Sequence, residues 1–483
     1  MPKSDSETLS NTSLPLCVDL DGSLIQTDSL WEACLRLISQ NPLMLLLLPF
    51  WLFLGKAGFK HKVSQHVELA PASLPFNAHL LKYLTQQRLH NRHLVLVTAA
   101  NKNIAEAIAD HLNIFDEIFA SDENHNLSGT NKARTLVDKF GDKGFVYAGN
   151  ANVDLKVWKH AAAAIVVNGS EALVNKAKNL TSIEEIFPSE HKLSLKIVLK
   201  AIRIHQWSKN MLIFTALILS HNWFNQDALQ SMVFAFFSFG FAASSIYLIN
   251  DLIDLEADRQ HQTKKHRPLA AGTLSIQWAI IIIPVLLMFS FLLATQLNTD
   301  FISILVIYLI LTTAYSLFFK PIALLDVITL TSLYTIRIIA GAIAINVPLS
   351  YWLLAFSMFI FLSLALIKRF SELKILIQQG KTSSISRGYH VDDLPAISLF
   401  GISSGYISVL VLVFYTHDLH ASTLYTHPDW LWFVAIAVLY WISHMWLLAF
   451  RGKMNEDPVL FAIHDRSSYI VTFFVAVSIF LAL

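Results

Sequence analysis

The sequence predicts a two-part chain, with an α/β domain at the N-terminus and an all-α bundle of nine transmembrane helices after it. Three observations support this division. Of the 483 residues, 54% are hydrophobic and only 15% are charged, whereas about a quarter are charged in an ordinary soluble protein. Charged residues are frequent up to about Glu190, and long apolar segments follow one another from about Asn210. Among the loops of the apolar part, Lys and Arg occur only in every second loop.

The composition also excludes several classes of protein. A net charge of +1 provides no overall attraction to nucleic acid, so no nucleic-acid partner is expected. An aromatic content of 12% excludes an intrinsically disordered chain. The two cysteines, Cys17 and Cys34, are too few for a disulfide framework or a multi-cysteine metal site.

The predicted boundary lies near residue 190. Residues 1–190 form the soluble domain and residues 191–483 the membrane domain, with a charged junction at 189–196. Residues 1–13 are polar, and the first apolar run, LPLCVDLDG, has only the length of a strand. We therefore predict no signal peptide and an N-terminal domain in the cytosol.

The membrane domain is divided by counting apolar segments. A helix that crosses the bilayer needs about 20 apolar residues. Nine candidate spans meet or approach this length, and the first and last are short. They lie at residues 210–221, 229–249, 276–295, 301–319, 324–345, 350–366, 397–415, 430–450 and 467–483.

Loop charges provide an independent prediction of topology. If the chain starts in the cytosol, the outward loops 221–230, 296–300, 346–350 and 416–429 contain no Lys or Arg. The opposite loops contain the basic residues Arg259, Lys264, Lys265, Arg267, Lys320, Lys368, Arg369, Lys374, Lys381, Arg387, Arg451, Lys453 and Arg466. This segregation follows the positive-inside rule and predicts a multi-pass protein of the cytoplasmic (inner) membrane.

One apolar run lies outside these spans. Residues 43–54, LMLLLLPFWLFL, are too few to cross a bilayer and contain Pro49. Two interpretations remain open: a buried helix of a cap subdomain, or an interfacial segment that rests on the membrane.

The soluble domain contains a set of residues suited to phosphoryl transfer. A predicted strand ends in Asp19 and Asp21, whose side chains point to the same face because they are two residues apart. A second strand ends in Thr98, Lys132 follows, and a third strand leads to Asp154. One aspartate would attack phosphorus, the next would act as acid and base, Thr and Lys would hold phosphate oxygens, and the last would help to bind Mg²⁺.

These motifs resemble the haloacid dehalogenase (HAD) superfamily over about residues 14–170, in its phosphoserine-phosphatase-like branch. The resemblance implies a Rossmann-type α/β fold with a helical cap at about 28–85. It makes Asp19 the nucleophile and Asp21 the acid/base, with Thr98 and Lys132 on phosphate. Asp19, Asp21 and Asp154 would form the metal site.

Two departures from the HAD pattern are visible. Ser23 replaces the common Thr, which keeps a hydroxyl group, and Asn150 stands where many active members carry Asp. The second change removes one anionic ligand for a hard cation. Two interpretations therefore stay open: an active phosphatase, or a retained fold with weak or no activity.

The membrane domain contains a second set of polar residues. The second span ends in NDLIDLEAD, residues 250–258, and on a helix Asp251, Asp254 and Asp258 share one face. Three carboxylates at a membrane boundary repel one another unless cations lie between them, and oxygen ligands suit Mg²⁺. Lys264 and Arg267 follow within ten residues. Acidic and basic groups in one loop indicate a site for a metal and a diphosphate.

Further polar residues occur at the same predicted level. Tyr315, Lys320 and Asp326 lie in YSLFFKPIALLD, after the fourth span, and Lys209 precedes the first span. Lys368 and Arg369 follow the sixth span. Arg337 lies inside the fifth, where an ionisable group is costly and usually faces a cavity. Its partner would be a substrate phosphate or, alternatively, a structural group.

These residues resemble the UbiA superfamily of intramembrane prenyltransferases over about residues 195–483. The resemblance is carried by NDxxDxxxD, by the HxxKxxRP continuation, in which Gln262 replaces the usual Pro, and by a second loop containing Asp. It implies a nine-helix bundle with Mg²⁺ held by Asp251, Asp254, Asp258 and Asp326. Asp251 and Asp254 would be catalytic. The implied substrate-binding residues are Lys209, Asn250, Lys264, Arg267, Tyr315, Lys320, Arg337 and Lys368.

The branch of the superfamily is indicated by the second motif. Aromatic prenyltransferases usually carry several aspartates there, whereas this chain has Asp326 alone. With RxxQWxKN and the Asp457-Pro-Val…His464-Asp465-Arg466 pattern, this form is similar to the decaprenyl-phosphate phosphoribosyltransferase branch. The favoured hypothesis is transfer of 5-phosphoribose from phosphoribosyl diphosphate to a polyprenyl phosphate. The alternative is polyprenyl transfer from an allylic diphosphate to an aromatic acceptor such as 4-hydroxybenzoate.

Both hypotheses imply the same partners: the membrane, a lipid-linked substrate (polyprenyl phosphate or diphosphate) and a phosphorylated small-molecule donor. Two other classes of protein fit the sequence less well. A transporter with a regulatory soluble domain would show inverted repeats, and none is convincing in this sequence. A membrane anchor for a phosphatase would need neither NDxxDxxxD nor Arg337.

Overall fold

The computed structural model describes residues 14–123, 125–188, 194–261, 263–380, 382, 387–417, 424–454 and 457–483. The polar segment 1–13, the junction residues 189–193, Gln262, Lys381 and part of the loop 416–429 lie outside these ranges. The chain forms two compact units. The first comprises Met1–Ile202 with Tyr247–Ile282, and the second comprises Arg203–Ile246 with Ile283–Leu483.

The first unit is built on a six-stranded parallel sheet with the strand order β3-β2-β1-β4-β5-β6. Its strands are β1 Leu16–Val18, β2 Leu94–Asn101, β3 Glu117–Ser121, β4 Val146–Gly149, β5 Ala163–Val167 and β6 Ser182–Phe187. Cys17 of β1 pairs with Val95 on one side and Tyr147 on the other. The order reverses between β1 and β4, which is the topological switch point where α/β sheets bind ligands.

Helices cover both faces of this sheet, because side chains of β1 alternate between two apolar cores. Leu16 and Val18 belong to one core and Cys17 to the other. The helices are α1 Ser29–Gln40, α2 Leu48–Leu52, α3 Gly55–His66, α4 Ala78–Leu89, α5 Lys102–Leu112, α6 Thr130–Phe140, α7 Leu155–Trp158, α8 Glu171–Lys178 and α9 Leu195–Ala201. The first four lie between β1 and β2, where the sequence predicts a helical cap.

The apolar run 43–54 forms a 3-10 turn, Pro42–Leu46, followed by α2. Leu48 and Trp51 pack partly against the core of the first unit. Most of the other apolar side chains of the run are exposed, and Phe53 is 89% exposed. The buried-helix interpretation of this segment is therefore wrong.

The remaining helices are mostly apolar. They are α10 Thr215–Leu219, α11 Gln226–Ile253, α12 Leu255–Gln260, α13 Ile276–Ala294, α14 Thr299–Ala314, α15 Leu325–Ala344, α16 Tyr351–Gln378, α17 Leu394–Thr416, α18 Leu431–Phe450, α19 Pro458–His464 and α20 Arg466–Ala482. In the second unit, α15 to α18 share one core that includes Ile338, Phe361, Ile397 and Trp446. A Cβ at Gly401 would lie 2.1 Å from the Trp446 ring, so this glycine lets α17 and α18 approach closely.

The predicted count of nine spanning helices is not confirmed. Within the described residues, seven helices are long and apolar enough to cross a membrane: Gln226–Ile253, Ile276–Ala294, Thr299–Phe319, Leu325–Ala344, Tyr351–Gln378, Val391–Thr416 and Pro428–Phe450. The first predicted span, 210–221, falls in a 3-10 helix, Ile204–Phe214, followed by the five-residue α10. The last, α20, has 17 residues. Both fall short of the roughly 20 residues of α-helix that a span needs.

Candidate active sites

Asp19 and Asp21 follow β1 at the switch point of the sheet, in the first unit. Lys132 Nζ lies 2.7 Å from Asp19 Oδ1, and the backbone N–H of Ser29 donates to Asp21 Oδ1 at 2.7 Å. Because Ser29 is the first residue of α1, this bond ties the Asp21 carboxylate to the positive end of that helix. The predicted pair thus occupies the position expected of a nucleophile and an acid/base.

A buried polar network connects Asp19 with Asp154. Lys132 Nζ also donates to the Tyr147 hydroxyl at 2.9 Å, and that hydroxyl donates to Asp154 Oδ1 at 3.1 Å. Asp154 Oδ2 accepts from the backbone N–H groups of Asn150 and Ala151 at 3.0 and 2.9 Å. The structure brings together Asp19, Lys132 and Asp154 as predicted. Tyr147 was missed, although a tyrosine inside a buried strand was a sequence signal, since its hydroxyl needs a partner.

Thr98 lies on β2, next to β1. Leu96 pairs with Val18, so Thr98 is level with the residue that follows Asp19. Its side chain is fully buried, and Oγ1 accepts from the backbone N–H of Ala100 at 2.9 Å. Its role in phosphate binding stays a prediction.

Asn150 packs against the loop that carries Asp21. Gly22 in this loop has φ +75°, and a Cβ there would lie 2.1 Å from Asn150 Nδ2. The amide therefore stands beside the two aspartates, where a carboxylate would add a negative charge. The neighbouring Ser23 is fully buried, and its hydroxyl has no hydrogen-bond partner among the described residues.

Burial changes the acidity of both aspartates. It raises the pKa of Asp19 to about 6, against the opposing charge of Lys132. Burial raises the pKa of Asp21 to about 7, helped by the negative charge of Asp28 and opposed by the Ser29 amide. A carboxyl group with a pKa near neutrality can both donate and accept a proton, which is the role predicted for Asp21.

A small cavity, open to solvent, lies beside Asp21. It is lined by Asp28, Lys60, Asn101 and Ile104, among others. Lys60 projects from α3, and its Nζ donates to the backbone carbonyl of Ala99 at 2.6 Å. The helical insertion therefore supplies one wall of the cavity and a cation.

The NDxxDxxxD motif also lies in the first unit, at the end of α11. Asp254 separates α11 from α12, but the N–H groups of Asp254 and Asp258 still donate to the carbonyls four residues earlier, both at 2.8 Å. Asp251 and Asp258 are nearly buried. Arg267 Nη1 lies 3.1 Å from Asp251 Oδ1 and also pairs with Asp258, and Lys264 Nζ lies 3.8 Å from Asp258 Oδ1. The predicted pairing of acidic and basic groups in this loop is present.

Asp326 lies at the start of α15 in the second unit and is fully buried. Its Oδ2 accepts from Arg369 Nε at 2.6 Å and lies 3.5 Å from Arg387 Nη1. The Tyr389 hydroxyl donates to the other oxygen. Arg387 and Tyr389 follow α16 in a loop without a recognisable motif, so the sequence did not indicate them.

Two predicted substrate-binding lysines meet at one carboxylate. Lys209 Nζ and Lys368 Nζ lie 3.0 and 3.1 Å from Asp457 Oδ2. The other oxygen of Asp457 accepts from the backbone N–H of Val459 at 3.1 Å and caps α19. The sequence indicates Asp457 only as part of a pattern. In the structure this carboxylate lies between the two lysines.

Arg337 is held by protein groups. Nε donates to Asn210 Oδ1 at 2.9 Å and Nη2 to the Tyr308 hydroxyl at 3.0 Å, and Nη1 bonds the carbonyl of Leu333. A Cβ at Gly341, one turn further on, would lie 2.0 Å from the Ile213 carbonyl, so this glycine lets the segment with Asn210 approach α15. The sequence left two partners open for Arg337, a substrate phosphate or a structural group of the protein, and these contacts are of the structural kind. A contact with substrate phosphate stays a prediction.

Tyr315 and Lys320 bracket an irregular turn. Residues Tyr315–Phe319 form a π-helical turn after α14, and the Lys320 N–H donates to the Tyr315 carbonyl at 2.9 Å. Such turns are frequent at functional sites because they shift side chains out of helical register.

The predicted metal ligands do not form a recognisable cluster among the described residues. The described parts of the chain contain no group of three or more His, Cys, Asp or Glu side chains arranged to hold a metal ion. Ligation by the predicted residues Asp251, Asp254, Asp258, Asp326, Asp19, Asp21 and Asp154 stays a prediction.

Comparison with known proteins settles the family. A model of the UbiA prenyltransferase family matches residues 211–477. This chain belongs to the UbiA prenyltransferase family. It is therefore a membrane transferase, and the six-stranded parallel sheet of the first unit precedes the matched residues in the chain.

Three relatives illustrate the similarity. The uncharacterised protein y4nM of Sinorhizobium fredii is 35% identical over 472 residues, 97% of this chain and 91% of that protein. The nodulation protein NoeC of Azorhizobium caulinodans is 34% identical, over 58% of this chain and 91% of its own length. The decaprenyl-phosphate phosphoribosyltransferase of Mycobacterium tuberculosis is 36% identical over 187 residues, 38% of this chain and 62% of that enzyme.

Solved structures resemble the two parts separately. A UbiA homologue from Archaeoglobus fulgidus bound to GPP and Mg²⁺ covers 59% of this chain with 16% identity and a TM-score of 0.46. Phosphoserine phosphatase in its apo form covers 39% with 13% identity and a TM-score of 0.27.

Proposed function

We propose that this UbiA-family transferase moves 5-phosphoribose from phosphoribosyl diphosphate to a polyprenyl phosphate. The observation that carries the proposal is a set of four basic side chains in the second unit, which lie beside two aspartates. Lys209 and Lys368 share Asp457, while Arg369 and Arg387 face Asp326, the single aspartate of the second motif.

The charge of the substrates explains why this cluster matters. Phosphoribosyl diphosphate carries a 5-phosphate besides its diphosphate, and a polyprenyl phosphate acceptor adds another anion. An allylic diphosphate with a neutral aromatic acceptor brings fewer negative charges. Arginine and lysine are the side chains that bind phosphate best, so a site with a single aspartate in its second motif and several cations suits the more anionic pair. The similarity to the mycobacterial phosphoribosyltransferase supports the same choice.

The donor set of the first motif fits a hard divalent cation. Asp251, Asp254 and Asp258 offer only carboxylate oxygens, and two of them are nearly buried. With Asp326 they would hold Mg²⁺, which would neutralise the departing diphosphate. Asn250, Lys264, Arg267, Tyr315 and Lys320 would bind the phosphate groups around it.

The proposed transfer breaks one bond at ribose C1 and forms another. The bond between ribose C1 and the diphosphate oxygen breaks, which leaves positive charge on C1, and an oxygen of the acceptor phosphate forms the new bond to C1. The basic side chains stabilise the diphosphate as its charge develops. The apolar helices keep water from the cationic carbon.

The test supplies membranes containing the protein with each donor and acceptor pair and extracts labelled lipid. We expect product from phosphoribosyl diphosphate with polyprenyl phosphate. Product from an allylic diphosphate with 4-hydroxybenzoate, and none from the first pair, would overturn the choice of donor.

For the fused HAD-like domain we propose a phosphatase activity. Asp19 would attack the phosphorus of a phosphomonoester while Asp21 protonates the leaving oxygen, and Lys132 and Thr98 would hold the phosphate. Water, which would give a proton to Asp21, would then cleave the aspartyl phosphate and release inorganic phosphate. The natural substrate would be the product of the transferase or a related lipid-linked sugar phosphate, because fusion to the transferase raises its effective concentration. Release of phosphate by the purified protein, lost in Asp19→Asn, is the expected result. No release from any such substrate would favour the inactive fold.

A further inference from the structure

The cap of the first unit presents an apolar surface. It consists of residues 43–54, where Leu46 is 67%, Phe50 68% and Phe53 89% exposed. Contiguous exposed apolar side chains of this size mark a surface that meets lipid or another protein. We call this stretch the apolar cap segment.

The charge around the apolar cap segment favours lipid. From Asn41 to Val67 the chain contains no Asp or Glu, and all the Lys residues of this range follow the segment closely. An apolar surface next to basic side chains is typical of segments that lie in the interface of an anionic membrane.

Two ion pairs hold the preceding helix, α1, beside the short helix α12, which follows the spanning helix α11. Arg36 Nη1 lies 2.7 Å from both carboxylate oxygens of Glu256. Arg259 donates to Glu32 at 2.7 and 3.0 Å, and both side chains of this pair are only 8% exposed. We call these two pairs the clasp.

The clasp brings the cap close to the end of a membrane helix. Leu35 and Ser39 of α1 line a small open cavity together with Leu252 and Ile253, the last residues of the spanning helix α11. Four residues after Ser39 the apolar cap segment begins. The start of the segment is therefore only a few residues along the chain from a residue that lines this cavity beside the end of α11.

We propose that the apolar cap segment inserts into the membrane interface, so that the HAD-like site acts on a phosphomonoester presented at the bilayer surface. The segment leads directly into α3, whose Lys60 lines the cavity beside Asp21. Insertion would therefore place the mouth of this cavity at the lipid surface. The substrate part of the proposal rests on the proposed phosphatase activity, and the membrane part does not.

The first experiment measures insertion without using activity. Cys17 and Cys34 are buried, so Phe53→Cys introduces an accessible thiol for an environment-sensitive fluorophore in the full chain, reconstituted in nanodiscs. Leu89→Cys is the matched control, because Leu89 is an equally apolar side chain, 78% exposed at the end of α4. We expect doxyl lipids to quench the probe at position 53 and aqueous iodide to quench the probe at 89. Strong iodide quenching at position 53, with no effect of doxyl lipid, would overturn insertion.

The second experiment tests the substrate class. Phosphate release is compared for a water-soluble phosphomonoester, p-nitrophenyl phosphate, and for a long-chain lipid phosphomonoester in vesicles. In the variant Leu46→Ser/Phe50→Ser/Phe53→Ser we expect kcat/KM for the lipid to fall at least tenfold while the soluble substrate is unaffected. Leu89→Ser should change neither. An equal loss on both substrates, or no loss on the lipid, would overturn the proposal.

Failure of the underlying phosphatase proposal has a different signature. If the wild-type protein releases phosphate from neither substrate, the phosphatase proposal and with it the substrate class are overturned. The quenching result still decides whether the segment is inserted.

Discussion

Two carboxylates of the second unit, both largely removed from water, are matched with basic side chains. Asp326 faces Arg369 and Arg387, and Asp457 faces Lys209 and Lys368. A carboxylate removed from water without such a partner would cost several kcal/mol. The same cations that stabilise these carboxylates are the ones available to bind phosphate.

Two aspartates of the first motif should be required for the transfer reaction. Replacing Asp251 or Asp254 with Ala should reduce transfer at least about a hundredfold, because metal stabilisation of leaving-group charge is worth several kcal/mol and each 1.36 kcal/mol is tenfold in rate. Label transfer into lipid measures the effect, and thermal unfolding in detergent checks that the variants are folded. Asp300→Ala, at an exposed aspartate in the first turn of α14, is the control and should be normal. Near-normal turnover of either motif variant in Mg²⁺ would contradict the site.

The ionisation of Asp116 makes the stability of the fold depend on pH. Burial opposes ionisation of Asp116, but hydrogen bonds from the Leu94 amide and from Arg88 outweigh it and lower the pKa of Asp116. A lowered pKa stabilises the fold above the ordinary value near 3.8, and this contribution is lost as the pH falls through the lower, folded-state value. The unfolding temperature of Asp116→Asn should therefore lie below that of the wild type at pH 6, and the difference should shrink as the pH approaches 3. A difference that is constant with pH would contradict this account.

Among the elements, α1 has a double role. Its first residue, Ser29, donates a hydrogen bond to Asp21 of the proposed phosphatase site, and Glu32 and Arg36 on the same helix pair with residues of α12, which carries Asp258. The two predicted functional motifs of the first unit are thus connected through a single helix.

The two ion pairs of the clasp should differ in strength. The Glu32–Arg259 pair is buried, and removal of one partner of such a pair costs about 3–5 kcal/mol. The Arg36–Glu256 pair is more exposed, and pairs of that kind contribute about 0–1 kcal/mol. Glu32→Ala should therefore lower the unfolding temperature far more than Arg36→Ala.

The double variant Glu32→Ala/Arg259→Ala provides the control for this comparison. It should be more stable than the sum of the two single effects predicts, because it leaves no unpaired buried charge. Equal effects of Glu32→Ala and Arg36→Ala would show that the burial of the first pair is unimportant.

For the whole molecule, the distribution of basic loops predicts orientation. The loop near Asp300 should face outward and the loop near Lys453 should face the cytosol with the N-terminal domain. Asp300→Cys should react with a membrane-impermeant thiol reagent in intact cells, and Lys453→Cys only after permeabilisation. Both native cysteines are buried, which keeps the background low. The opposite pattern would reverse the topology and place the HAD-like domain outside.

The sequence predicted the α/β sheet, the seven long apolar helices and both polar motifs, because each depends on local patterns. Alternating apolar residues specify strands, and continuous apolar runs specify spanning helices whatever surrounds them. It overcounted the helices at both ends of the membrane part, where the apolar runs are short. Residues 210–221 and 467–483 were close to the length limit, and local hydropathy alone does not decide such cases.

The sequence by itself determined the family and the chemical character of the two sites, since carboxylates, lysines and their spacing are local features. Only the tertiary structure decided which charges meet. The contacts that matter join residues 7 to 248 positions apart in the chain. Tyr147 lies between Lys132 and Asp154, Asp457 lies between Lys209 and Lys368, and Glu32 pairs with Arg259. The energy of a buried charge depends on the neighbours that packing brings to it, and no local pattern records those neighbours.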